Sequence, residues 1–177
     1  MKWLHNIFGG HKMAALNPGT TAPDFTLKTT DGKQFSLREA LTHGPVVAVF
    51  FKISCPVCQY ALPFLERIYK SYGARHVTIV GISQNEKKDT LAFMKEYGVT
   101  FPVLLDDTST YKVSNAYGLT NVPTIFWVAQ DGDIEISSVG WVRKDIEDIN
   151  RRVAEASGNG RQPVFRTHEQ VADFRAG

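Results

Sequence analysis

The chain has 177 residues, 43% of them hydrophobic and 21% charged, with a formal net charge of +2. That is enough for one domain with a full core and short for two, and Lys and Arg form no cluster, so a nucleic-acid or acidic-membrane surface has no support. Two cysteines are too few for a disulfide-stapled scaffold, so bulk stability is not their purpose.

In the opening "MKWLHNIFGGHKMAALNPG", His5, Asn6, His11 and Lys12 break the apolar run that an export signal needs. Trp3, Leu4, Ile7 and Phe8 share one helical face, which suits a short amphipathic helix in an N-terminal extension, residues 1–17. Such a helix caps a core or docks a partner more readily than it anchors to a membrane, so contact of residues 1–10 with a bilayer is not expected. No later segment approaches the roughly 20 apolar residues of a membrane span. The expectation is a cytoplasmic protein, with an exported or periplasmic one as the alternative.

After Asn17-Pro18-Gly19, "APDFTLKTTDGKQFSL" alternates apolar and polar residues around Asp31-Gly32, a β-hairpin pattern. Ser36 and Glu39 have capping-box spacing for a short helix reaching Leu41. "GPVVAVFF", residues 44–51, is a continuous apolar run suited to a central strand buried on both faces. Pro56 sits where a helix can begin, and helical spacing then continues as far as Gly73. "HVTIVGIS" predicts a second buried strand, and residues 85–98 an amphipathic helix with Leu91, Phe93, Met94 and Tyr97 inward. "FPVLLDD" is a short strand and "TSTYKVSNAYG" a short helix. "PTIFWVAQDGDIEISSVGW" makes a hairpin about Asp131-Gly132, and "RKDIEDINRRVAEASGNG" a charged helix with Ile146, Ile149 and Val153 inward. The main domain spans residues 18–157. In the tail, 158–177, Thr167 and Gln170 have capping-box spacing before Val171 and Phe174, which predicts a last short helix.

Strands alternating with helices and a late hairpin predict a mixed sheet with helices on both faces. The C-terminal end of its first central strand, where sites gather in such sheets, holds Cys55 and Cys58 in "FFKISCPVCQYALPFL". At a helix start, unpaired N–H groups and the helix dipole both favour thiolate, the nucleophilic form. Cys58 lies one turn deeper, within reach of a disulfide to Cys55. Cys55 would then attack a substrate disulfide and Cys58 would resolve the mixed disulfide. Pro56 stiffens the turn, and Lys52 could favour the thiolate if its ammonium reaches back. A tetrahedral zinc site needs four ligands, and neither a second CxxC nor a suitably spaced His43 or His76 supplies them; no metal and no cofactor is expected. Downstream, "TNVPTIFW" places Pro123 just before an apolar strand, where a cis X-Pro turn can form.

On "APDFTLKTTDGKQFSL", "FFKISCPVC", "EYGVTFPVLLDD", "AYGLTNVPTIFWVAQDGDI" and "GW", the chain resembles the thioredoxin superfamily over residues 18 to 155, and within it the TlpA/ResA-like, AhpC/TSA redoxin branch. The resemblance implies a three-layer α/β/α sandwich with a mixed central sheet, an N-terminal β-hairpin and an inserted βα element. It implies Cys55 as nucleophile, Cys58 as resolving thiol, and a substrate groove formed by Pro56, Val122 and the cis-proline Pro123. The implied activity is thiol-disulfide oxidoreduction on protein or small-molecule disulfides with a redox partner protein, by a monomer or weak dimer.

The departures are local. Ser54 replaces the Trp that thioredoxins carry before the first cysteine, Val49 their buried acid, and Ala61 the glutamate of ResA-like proteins. Cys58, if buried among apolar groups, would then hold its proton tightly. Gln84, at the end of the second strand, could lie near the site but cannot act as a base. The branch also includes peroxiredoxins, whose proline and Thr/Ser positions before the reactive cysteine here hold Ala48 and Lys52. A thiol peroxidase is therefore the alternative reading, and a redox-inert peptide-binding module a third that the intact CxxC disfavours.

Overall fold

Val46–Phe51 (β3) is buried at every position, as its unbroken run of Val, Ala and Phe requires, and it is an interior strand of a seven-stranded sheet. The computed structural model describes residues 15–177, so the expected N-terminal helix face at Trp3 to Phe8 lies outside the described residues. The other sheet strands are β1 (Thr26–Thr29), β2 (Gln34–Ser36), β4 (Thr78–Ser83), β5 (Val103–Leu105), β6 (Thr124–Val128) and β7 (Ile134–Val139), in the order β2-β1-β5-β4-β3-β6-β7. β3, β4 and β5 are parallel; β6 and β7 on one side, and β1 and β2 on the other, are antiparallel. The mixed sheet, the N-terminal hairpin and the inserted β5 follow the sequence pattern.

Helices cover both faces. α2 (Pro56–Tyr72), α3 (Lys87–Tyr97) and α5 (Arg143–Ser157) pack on one core, which includes Val47, Val49, Phe51, Cys58, Ile125 and Trp127. α1 (Leu37–Leu41) and α4 (Lys112–Ala116) close the other, built on Val46, Ala48, Phe50, Tyr117 and Phe126. The alternation along β3 divides its residues between the two cores, as strand geometry requires. α1 starts as expected, with the Ser36 side chain accepting from Glu39 N.

Two expectations are corrected. Leu91 is 43% exposed, because α3 turns Thr90 inward, where its hydroxyl meets Ser83 Oγ at 2.7 Å and leaves Phe93 to face the core. The tail forms no helix. Instead β9 (Phe174–Arg175) pairs antiparallel with β8 (Trp141–Val142). A helix of this length has little stability of its own, and the tail's polar groups are drawn outward to the body. Glu169 accepts from Arg166 N and forms a two-pronged ion pair with Arg67 at 2.7 and 2.8 Å. Val164 is buried in the α2–α5 core and Phe165 packs against it, so the tail shares the core of the main domain.

Candidate active site

A short turn, residues 52–55, leads from β3 to α2, whose N-cap is Cys55 and whose first residue is Pro56, where a missing N–H costs nothing. Cys55 Sγ accepts from Cys58 N at 3.2 Å, so the sulfur stands at the helix's unpaired amides. The same sulfur donates to the carbonyl oxygen of Val122 at 3.2 Å. Val122-Pro123 is a cis peptide, and the cysteine turn and the proline loop thus meet at one atom. Cys55 is half-buried and Pro56 exposed; Pro123 is buried.

Cys58 is fully buried, in the core shared by Val49, Ala61 and Leu62. Burial, reinforced by its hydrogen bond with Cys55, pushes its thiol far above the ordinary range. Both thiols are free. The nearest buried carboxylate on α2 is Glu66, eight positions beyond Cys58 and so about 12 Å along the helix. Glu66 accepts from Thr100 N at 2.7 Å, Phe101 N at 3.2 Å and the Thr100 hydroxyl, and ties α2 to the start of β5.

Two residues that sequence reasoning missed fix the approach to Cys55. Asn85 Oδ1 accepts from Ile53 N at 2.9 Å, and Gln59 Nε2 donates to Ile53 O at 2.9 Å. Both backbone polar groups of Ile53 are therefore held, two residues before the nucleophile. Gln84, which the sequence placed near the site, donates instead to Ser114 Oγ at 3.0 Å and turns toward the Asp106 carboxylate network under α4. Lys52 is half-buried, and its carbonyl accepts from Cys55 N at 3.2 Å in the turn. Among the described residues no group of three or more His, Cys, Asp and Glu side chains is placed to hold a metal ion.

The AhpC/TSA family model matches residues 18–137. The chain belongs to the AhpC/TSA family. Among its relatives in that family it is similar to the thiol-disulfide oxidoreductase ResA of Bacillus subtilis (strain 168), 33% identical over 129 residues, which are 72% of this chain and 69% of that protein. It is similar also to the thioredoxin-like protein YneN of the same organism, 31% identical over 136 residues, 75% of this chain and 78% of the relative. The crystal structure of a thiol:disulfide interchange protein of the thioredoxin family from Chlorobium tepidum TLS superposes with a TM-score of 0.65. It is 30% identical and covers 82% of this chain and all of its own. The fold is thioredoxin-like. Within this AhpC/TSA member, Val49 and Ala61, the positions where an acid was sought, are both fully buried beside Cys58. No helix of the described residues is long and apolar enough to cross a membrane.

Proposed function

We propose that the protein is a thiol-disulfide oxidoreductase in which Cys55 is the nucleophile and Cys58 the resolving thiol. The observation that carries this reading is the position of Cys55 Sγ, held between the Cys58 amide and the Val122 carbonyl at the mouth of α2. The Cys55 thiolate attacks one sulfur of a substrate disulfide, forms a mixed disulfide and expels the other sulfur as a thiolate. Cys58 then loses its proton and attacks Cys55 Sγ. That step breaks the mixed disulfide, releases the second substrate thiol and leaves a Cys55–Cys58 disulfide. Two electrons have passed to the substrate, and a dithiol partner protein returns them. Pro56, Val122 and Pro123 would line the groove for the substrate segment.

The test is trapping. Cys58→Ser incubated with a disulfide-bearing protein should accumulate a covalent adduct at Cys55, and Cys55→Ser should form none and lose exchange. An adduct that forms equally well without Cys55 would overturn the reading. The peroxidase alternative is weakened by Ala48 and Lys52, and by the lack of any arginine between Arg75 and Arg143. Rapid stoichiometric peroxide consumption by Cys55 would revive it. The proposal keeps the cytoplasmic compartment, where the thiol pool holds such pairs reduced. Recovery in an exported fraction would overturn that part alone.

A further inference from the structure

Residues 174–177 lie against the site. The upstream part of the tail is firmly held: Val164 is buried, Arg67 bonds Val164 O at 2.5 Å as well as Glu169, and Trp141 Nε1 donates to Ala172 O at 2.6 Å. Tyr60, Phe64, Trp141 and Phe165 form one aromatic cluster at this anchor. Beyond it, residues 173–177 are exposed, and Phe174 is 62% so. They are held by the short β8–β9 ladder, by Arg143 N donating to Asp173 O at 2.9 Å, and by Asn121 Nδ2 donating to Gly177 O at 2.8 Å. The Arg175 guanidinium lies over the Tyr60 ring at 3.8 Å.

The closeness of this approach is recorded by two glycines. A Cβ placed on Gly177 would come within 2.5 Å of Val122 O, the oxygen that receives the Cys55 thiol. A Cβ on Gly140, which has φ +76°, would come within 2.5 Å of Arg175 O. Gly140 N in turn donates to Pro123 O at 2.8 Å. An extended segment therefore runs along β8, crosses Gly140 and ends against the proline loop.

We propose that residues 174–177 act as an internal pseudo-substrate, occupying the edge where an extended substrate peptide docks before exchange. This rests on the thiol-disulfide reading above. The surface thus selects a peptide that pairs with Trp141–Val142, lays a basic side chain on Tyr60 and sets a residue without a Cβ, or a very small one, against Val122. The substrate class is an extended protein segment with that pattern. A small-molecule disulfide needs none of these contacts. With a firm anchor and an exposed, lightly bonded tip, the tail can leave the edge without unfolding the body, and peptide and tail compete for one place.

The chain truncated after Asp173 keeps the Ala172 and Asp173 contacts, and its thermal midpoint reports that it folds. Exchange with a disulfide-bearing extended peptide should then be faster by about three- to tenfold, the relief expected when a mostly closed site is opened. Exchange with oxidised glutathione should stay within about twofold, because no strand is docked. The synthetic octapeptide of residues 170–177, added to the truncated protein, should restore the slower rate. The same octapeptide with Arg175→Ala or Gly177→Val should not. Gly177→Val in the full chain, which displaces the tip and removes nothing, should match the truncation. Unchanged or slower peptide exchange in both variants overturns the proposal. If neither form exchanges with either disulfide, the oxidoreductase reading has failed. Amide chemical-shift changes at Gly140 and Val142 on octapeptide addition to the truncated protein then still decide whether the edge is a docking site, and their absence overturns it.

Discussion

The thiol of Cys55 donates to the carbonyl oxygen of Val122 at 3.2 Å, so the two halves of the site, 67 residues apart in sequence, share a single atom. The sulfur is positioned by its neighbours before any substrate arrives. That preorganisation depends on groups that never touch the reacting atoms, and the predictions follow from them.

Asn85→Ala removes the acceptor for Ile53 N and leaves a half-buried amide unpaired, which costs about 1–2 kcal/mol. With one of its two clamps gone, the segment before Cys55 loosens, and exchange should slow by roughly three- to tenfold. Asn85→Asp keeps an oxygen in place and should recover most of the stability. Urea unfolding and the exchange rate measured on the same three proteins separate the two effects.

Cys58 is pushed up by burial, so its thiolate is scarce at neutral pH. Resolution of the mixed disulfide should accelerate by about tenfold per pH unit between pH 6 and 9, in single-turnover release of the second thiol. A flat profile would show that another group takes the proton. The same shift acts on stability. Above about pH 8.5 the unfolded chain releases this proton while the folded chain retains it, so the reduced protein loses stability as pH rises. Cys58→Ser should lack that part of the slope.

Glu66 is a buried carboxylate on the active-site helix, yet its bonds all run to Thr100, Phe101 and Lys70. Glu66→Ala should destabilise by about 2–4 kcal/mol, since it strands the buried Phe101 amide. Glu66→Gln should lose less. In both, the pH profile of resolution should match the parent, which a proton acceptor for Cys58 would not allow.

The Arg67 guanidinium, helped by Arg166 N, holds Glu169 down at about 2. A depressed carboxyl contributes stability that is complete above its unfolded value near 4.5 and lost as pH falls toward 2. Tail attachment, followed by amide exchange at Ala172, should weaken across that acid window. Glu169→Gln should weaken it at neutral pH by about 1 kcal/mol and flatten the acid response.

What could be read from the sequence is what local pattern encodes. The buried run Val46–Phe51, the proline opening α2 and Pro123 before β6 each carry their structural reason within a few residues. Asn85 and Gln59 do not, because a polar side chain in a loop or on a helix looks the same whether it faces water or clamps Ile53. Gln84 shows the same limit: its place after β4 carries no sign of its bond to Ser114 on α4. The tail was misread for a different reason. Its capping-box spacing was local, but the groups that decide its course, Arg67, Tyr60 and Trp141, lie far back in the chain.

Trp141 is fully buried, and its indole proton is received by Ala172 O. On the ribosome that acceptor is made 31 residues after the indole, when every strand of the seven-stranded sheet has been synthesised. A nascent chain short of residue 172 must keep a buried donor unanswered or hold the aromatic cluster open, either of which leaves sticky surface on display. Synthesis therefore has a late checkpoint, and chains stalled just before it should be the ones that chaperones retain.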